Sequence, residues 1–77
     1  LGTPKPDPRL YLHAAAALGV APERCVVVDD SANGCTAGVR AGMRVLGYAA
    51  HDDGAELAAL GAEVFHDMAE LPRLLGL

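Results

Sequence analysis

Hydrophobic residues recur along this chain with a period that switches between helix and strand. From Arg9 to Leu18, the apolar positions Leu10, Tyr11, Ala14, Ala15 and Leu18 follow helical spacing. Asp7-Pro8 before them offers a side-chain acceptor at the N-cap and a proline at the first helical position, and Gly19 offers a left-handed stop. Residues 20–24 read as a turn. Cys25-Val26-Val27-Val28 then predicts a strand of small and β-branched residues suited to burial. A second helix is predicted over residues 33–41, ended by Gly42, and a second strand over 43–47, followed by a loop at 48–52. Asp53-x-x-Glu56 has capping-box spacing and opens a third helix that stops at Gly61. A short third strand follows at 62–65. Asp67-x-x-Glu70 repeats the capping spacing and opens a last helix ending near Gly76, its regular part shortened by Pro72.

Strands that alternate with helices are parallel, and their crossovers put every strand's carboxyl end on one side. The predicted architecture is α/β, one half of a doubly wound sheet, with all 77 residues in one domain and no repeat or linker. Gly34, Gly38 and Gly42 fall four apart on one side of the second helix, where they predict close backbone approach to a neighbouring element.

The first strand runs directly into Asp29, Asp30 and Ser31. Ligands of open α/β sheets bind at that rim. Two adjacent anions there repel each other and lose hydration, which raises their pKa unless a cation sits beside them. Mg²⁺ suits such oxygen donors and keeps some of its waters. Ser31 can cap the following helix, which releases the carboxylates for metal binding. Lys5 is the chain's single lysine against five arginines. Pro4 and Pro6 stiffen its backbone, so a compact cation can be aimed at a phosphate group at low entropic cost. The plain reading of each is a solvated lysine and a capped helix start; their combination favours a metal and phosphate site.

Composition narrows the classes. Hydrophobic residues make up 52% and charged residues 21% of the chain, which describes a packed piece rather than a disordered one. Fifteen residues are alanine and three are aromatic, so the core is small-sided and weakly stabilising by itself. A net charge of −4 with scattered arginines excludes a nucleic-acid face, and no apolar run reaches membrane-spanning length. Cys25 and Cys35 lack metal-ligand spacing and predict a reducing, cytoplasmic setting; His13, His51 and His66 share no ligand spacing either. No G-x-G-x-x-G or Walker pattern is present.

Lys5-Pro6-Asp7-Pro8, Leu18-Gly19-Val20, Pro22-Glu23-Arg24-Cys25-Val26-Val27-Val28-Asp29-Asp30-Ser31, Gly34, Ala37-Gly38 and Ala41-Gly42-Met43 together resemble the C-terminal half of the core domain of a haloacid dehalogenase-superfamily hydrolase. The phosphatase and β-phosphoglucomutase-like branch is the nearest, and the likeness extends to the tail Asp67-Met68-Ala69-Glu70-Leu71-Pro72. The resemblance implies a Rossmann-like parallel sheet, a Mg²⁺ cofactor and phosphoryl transfer through an aspartyl-phosphate on a small phosphorylated metabolite, with a sugar phosphate as the expected substrate. It assigns Lys5 to the transferring phosphoryl group and the nucleophile, and Asp30 to the metal. Asp29 becomes the acidic neighbour that ligates directly or through water.

Two positions depart from many relatives: Arg9 stands where they carry Asp, and Asp29 where they carry Glu. The acid pair speaks against the true dehalogenases, which use no metal. The family's D-x-D nucleophile pair, its phosphate-binding Thr or Ser and its cap domain have no counterpart here, and Asp52-Asp53 follows a loop rather than a strand. The expectation is therefore a piece that is inactive alone and partners the missing N-terminal half of the same protein. It would also leave its first strand with an unpaired edge. A phosphorelay receiver is disfavoured, since residues 43–47 and 62–65 end without an Asp and the only lysine precedes the acid pair. The remaining alternatives are a β-phosphoglucomutase-like activity and a non-catalytic α/β interaction module.

Overall fold

The computed structural model describes residues 7–77. Lys5 lies outside the described residues. The described elements, in chain order, are α1 (Arg9–Leu18), β1 (Val26–Asp29), α2 (Ala32–Arg40), β2 (Arg44–Tyr48), α3 (Ala55–Ala59), β3 (Glu63–Phe65) and α4 (Leu71–Leu74). Single 3₁₀ turns stand at Pro22–Arg24 and Met68–Glu70. Among the described residues the three strands form one parallel sheet in the order β1-β2-β3, with Val27 opposite Val45 and Asp29 opposite Gly47. The α/β alternation read from the sequence is the fold.

Each strand starts one residue later than its sequence pattern predicts, for reasons its neighbours supply. The Met43 N–H donates to the Gly38 carbonyl (3.1 Å) and the Ala62 N–H to the Leu57 carbonyl (3.1 Å). Both groups thus close the preceding helix, and the sheet ladder begins at the next residue. Cys25 stands just before β1 and is half-buried, its carbonyl accepting from the Arg44 N–H at 3.1 Å. Cys35 is fully buried, and both cysteines are free thiols.

Helix starts follow the predicted caps unevenly. Asp7 Oδ1 accepts the Arg9 N–H at 2.8 Å, and Ser31 Oγ accepts the Gly34 N–H at 3.0 Å. Asp67 and Glu70 form the full capping box, although it opens a 3₁₀ turn and then the short α4 instead of one continuous helix. Pro72 in the first turn of α4 has no N–H to continue a ladder across that junction. The box predicted for Asp53 and Glu56 does not form. Gly54, at φ +74°, takes the cap position of α3 and has no side chain to offer.

One sheet face carries Val27, Val45, Gly47 and Val64 and packs beneath α2 and α3. Its core cluster is Val27, Cys35, Val45, Leu57 and Ala62, with Tyr11 of α1 closing one side. A Cβ on Gly38 would press into Val45 and Val27, so the glycine sets how closely α2 approaches the sheet. Gly42 does not share that role; it meets nothing within 4 Å and serves as a left-handed stop at φ +79°. The other face carries Leu46, Tyr48 and Phe65, with Leu46 and Phe65 buried and the Tyr48 and Phe65 rings 5.3 Å apart. Arg44 on that face pairs with Glu63 (2.6 Å) and donates to the Leu74 carbonyl (2.8 Å), fastening α4 across β2 and β3.

β1 is only half-covered. Val27 is 9% exposed, but Val26 and Val28 on the opposite face are 41% and 43% exposed. The strand has a neighbour on one side among the described residues, so one row of its backbone groups is unpaired within the sheet.

Candidate functional site

Parallel strands deliver their carboxyl ends to one rim, and there β1 presents its two acids in different ways. Asp29 is the last strand residue, and its side chain turns to the helix-covered face. Its Oδ1 accepts the Ser31 N–H at 2.8 Å and the Ser31 hydroxyl at 2.9 Å. The Asp30 N–H and, with the weakest influence, the Tyr11 hydroxyl lie near enough to favour its charged form. Gly34 lies directly over this carboxylate, and a Cβ there would collide with it.

Burial alone would raise the Asp29 pKa. The Ser31 N–H and hydroxyl, the Asp30 N–H and Tyr11 outweigh burial and hold it below the ordinary carboxylate range. The rise anticipated from two adjacent anions is therefore reversed at Asp29, by hydrogen bonds rather than by a cation. Burial and then the Asp29 charge push the Tyr11 phenol up, while burial followed by both aspartates pushes the Cys35 thiol up. A raised thiol pKa in a buried position makes Cys35 a core residue, not a nucleophile.

Asp30 is exposed, and no hydrogen bond or ion pair with another described residue holds its carboxylate. It borders a hollow of about 280 Å³ that is also lined by Tyr48, His51, Asp52, Glu56 and Leu57. A second, more open hollow joins both Asp29 and Asp30 to Val28, Tyr48 and Met68 at the end of β1. Sequence reading missed Tyr48 and His51 here. The signal lay in the parallel order, which brings the end of β2 and its loop beside the end of β1.

Among the described residues no three His, Cys, Asp or Glu side chains stand close enough to hold a metal ion. The donor present, an exposed carboxylate at the strand rim, fits one corner of a Mg²⁺ shell, which takes one or two protein carboxylates and keeps several waters. Asp52 and Asp53 are otherwise employed. Asp52 Oδ1 accepts the Gly54 N–H at 2.8 Å and Asp53 Oδ1 the Ala55 N–H at 3.0 Å, forming the entry to α3. No helix among the described residues is long and apolar enough to cross a membrane.

Comparison with known proteins gives a consistent picture. The chain is 39% identical over 70 residues to a 6-phosphogluconate phosphatase of Escherichia coli, covering 91% of this chain and 32% of that protein. A Deinococcus radiodurans HAD family hydrolase, solved with bound phosphate and sodium, superimposes with a TM-score of 0.86 at 43% identity, over 97% of this chain and 35% of its own. A Thermotoga maritima protein provisionally called a β-phosphoglucomutase gives a TM-score of 0.84 at 33% identity, over 99% and 36%. The chain thus spans about a third of the length of each. The family model of haloacid dehalogenase-like hydrolases matches residues 1–42, more than half of the sequence. With its parallel sheet, its strand-end acid pair and these likenesses in agreement, the chain belongs to the haloacid dehalogenase-like hydrolase family.

Proposed function

We propose that this chain is the C-terminal part of the core domain of a Mg²⁺-dependent phosphatase that hydrolyses a small phosphorylated metabolite, a sugar phosphate by preference. The observation that carries the reading is Asp30: an exposed carboxylate, unheld by the described residues, at the carboxyl end of a parallel strand and beside an open hollow. Asp30 would hold the ion, with Asp29 as its acidic neighbour. When bound, the ion supplies positive charge against the negative charge that builds on the phosphoryl oxygens. Lys5 is assigned the parallel task for the transferring phosphoryl group, as an ammonium group stiffened by two prolines.

The nucleophilic aspartate is placed on a strand that pairs with the open edge of β1, covering Val26 and Val28. Support comes from the exposure of those two valines and from relatives three times longer, one of them holding phosphate and sodium. The sugar phosphate preference follows the phosphatase relative, and two free cysteines favour a cytoplasmic setting. The segment alone is proposed to be inactive.

Turnover of p-nitrophenyl phosphate by the intact protein carrying this chain, followed while Mg²⁺ is titrated, tests the reading. Asp30→Asn should raise the Mg²⁺ concentration required and lower turnover. Lys5→Ala should lower turnover at nearly unchanged Mg²⁺ affinity. Wild-type kinetics in both variants would refute the assignment and favour an α/β interaction module. The Thermotoga maritima likeness supports a second, mutase-like reading. It predicts that a hexose 1-phosphate is converted to its 6-phosphate faster than inorganic phosphate is released.

A further inference from the structure

We infer that Asp29 is a positioning residue rather than a metal ligand, held in a cradle of Ser31, Gly34 and Tyr11 that aims Asp30 at the rim. This inference rests on the proposed metal reading of Asp30 and departs from the ligand role that family likeness gives Asp29.

The geometry divides the two carboxylates. Asp29 Oδ1 already accepts two hydrogen bonds from Ser31, at 2.8 and 2.9 Å. Asp29 is half-buried and borders a hollow that it shares with Tyr11, Ser31 and Gly34 on the helix-covered side of the sheet. Gly34 leaves the space its carboxylate occupies, since any larger residue would drive a Cβ into it. Ser31 is tied on both sides: it donates to Asp29 and accepts the Gly34 N–H at 3.0 Å. One linked set of bonds therefore fixes the turn from β1 into α2, and Asp30 sits in the middle of that turn. Its side chain is exposed and lines the hollow on the open side of the rim. Asp29 Oδ1 would have to surrender its two Ser31 bonds to reach an ion, whereas Asp30 surrenders none among the described residues. Groups behind a ligand that fix its direction typically change metal affinity about 10-fold or more when removed.

The test measures Mg²⁺ affinity calorimetrically in the intact protein carrying this chain, with folding checked by circular dichroism. Asp29→Ala should weaken Mg²⁺ binding about 10-fold, because the turn loses its anchor. Asp29→Asn keeps the oxygen that Ser31 bonds, and should restore affinity to within about 3-fold of the unsubstituted protein, judged against the larger loss typical of a deleted ligand. Asp30→Asn should weaken binding more than either. Gly34→Ala should reproduce the Asp29→Ala loss, yet add little further loss in an Asp29→Ala background, because the obstructed carboxylate is gone. Equal losses in Asp29→Asn and Asp29→Ala would make Asp29 a ligand and overturn the inference while leaving the metal reading intact. Unchanged affinity in Asp29→Ala with a lowered melting temperature would make Asp29 purely structural and also overturn it. Absence of Mg²⁺ binding in the unsubstituted protein would remove the metal reading and this inference together.

Discussion

The chain contains two Asp-Asp pairs at strand-to-helix turns, Asp29-Asp30 after β1 and Asp52-Asp53 after β2, and they end in different employment. At the first, Ser31 caps α2, Asp29 anchors Ser31, and Asp30 is left over. At the second, each aspartate accepts a backbone N–H two residues ahead, and neither is left over. The difference lies in the residue that follows the pair. A hydroxyl at position 31 takes over the capping duty, whereas Gly54 contributes no acceptor and the acids themselves must satisfy the helix entry. An acid is available for chemistry where a neighbour has relieved it of backbone work.

Substitutions that reverse this relief separate the two turns. The largest effect is expected on activity. Asp30→Asn should lower Mg²⁺-dependent phosphatase turnover of the intact protein by about 100-fold, the scale of losing one group that stabilises transition-state charge. Asp53→Asn should leave turnover unchanged, and an equal loss in both would erase the distinction. Next comes Gly54→Ala, which forces a side chain into a left-handed backbone and against Val64. A loss of about 1–3 kcal/mol is expected from denaturant unfolding. Ser31→Ala should cost about 1 kcal/mol by the same measurement, through the lost N-cap.

The smallest effect should be read along pH rather than at one condition. Hydrogen bonding to Arg44 outweighs slight burial and holds the Glu63 carboxyl below its ordinary value of 4.5. A depressed carboxyl stabilises the fold above its unfolded pKa, and that contribution disappears as pH falls through the folded value. Between pH 7 and about 5 the melting temperature should be insensitive to this pair, and below 4.5 it should fall. Glu63→Gln should flatten that acid limb slightly, since both side chains are largely exposed and solvent screens them. An unchanged limb would show that the pair does not fasten α4 across the sheet.

Much of this was legible from residue order. The apolar period of residues 9–18 matches α1, and Ser31 caps α2 as its place after the acid pair predicts. Each strand begins one residue later than its pattern predicts because the Cys25, Met43 and Ala62 N–H groups close the turn or helix before it, a hydrogen bond that periodicity does not reveal. The entry to α3 was misread for a related reason: capping spacing was present, but a left-handed glycine intervened. Burial of β1 was overestimated as well. Val26 and Val28 look identical to Val27 in sequence, and only the edge position exposes them.

Sequence alone determined the order of helices and strands, the parallel sheet, the family and the acid pair at a strand end, because hydrophobic period and turn residues act locally. Only the tertiary structure decided which carboxylate is occupied. Asp29 faces the helices and meets Ser31, Gly34 and Tyr11, whereas Asp30 meets the open rim. Adjacent residues at a strand end point to opposite sides, and what waits on each side is set by packing between elements distant in the chain.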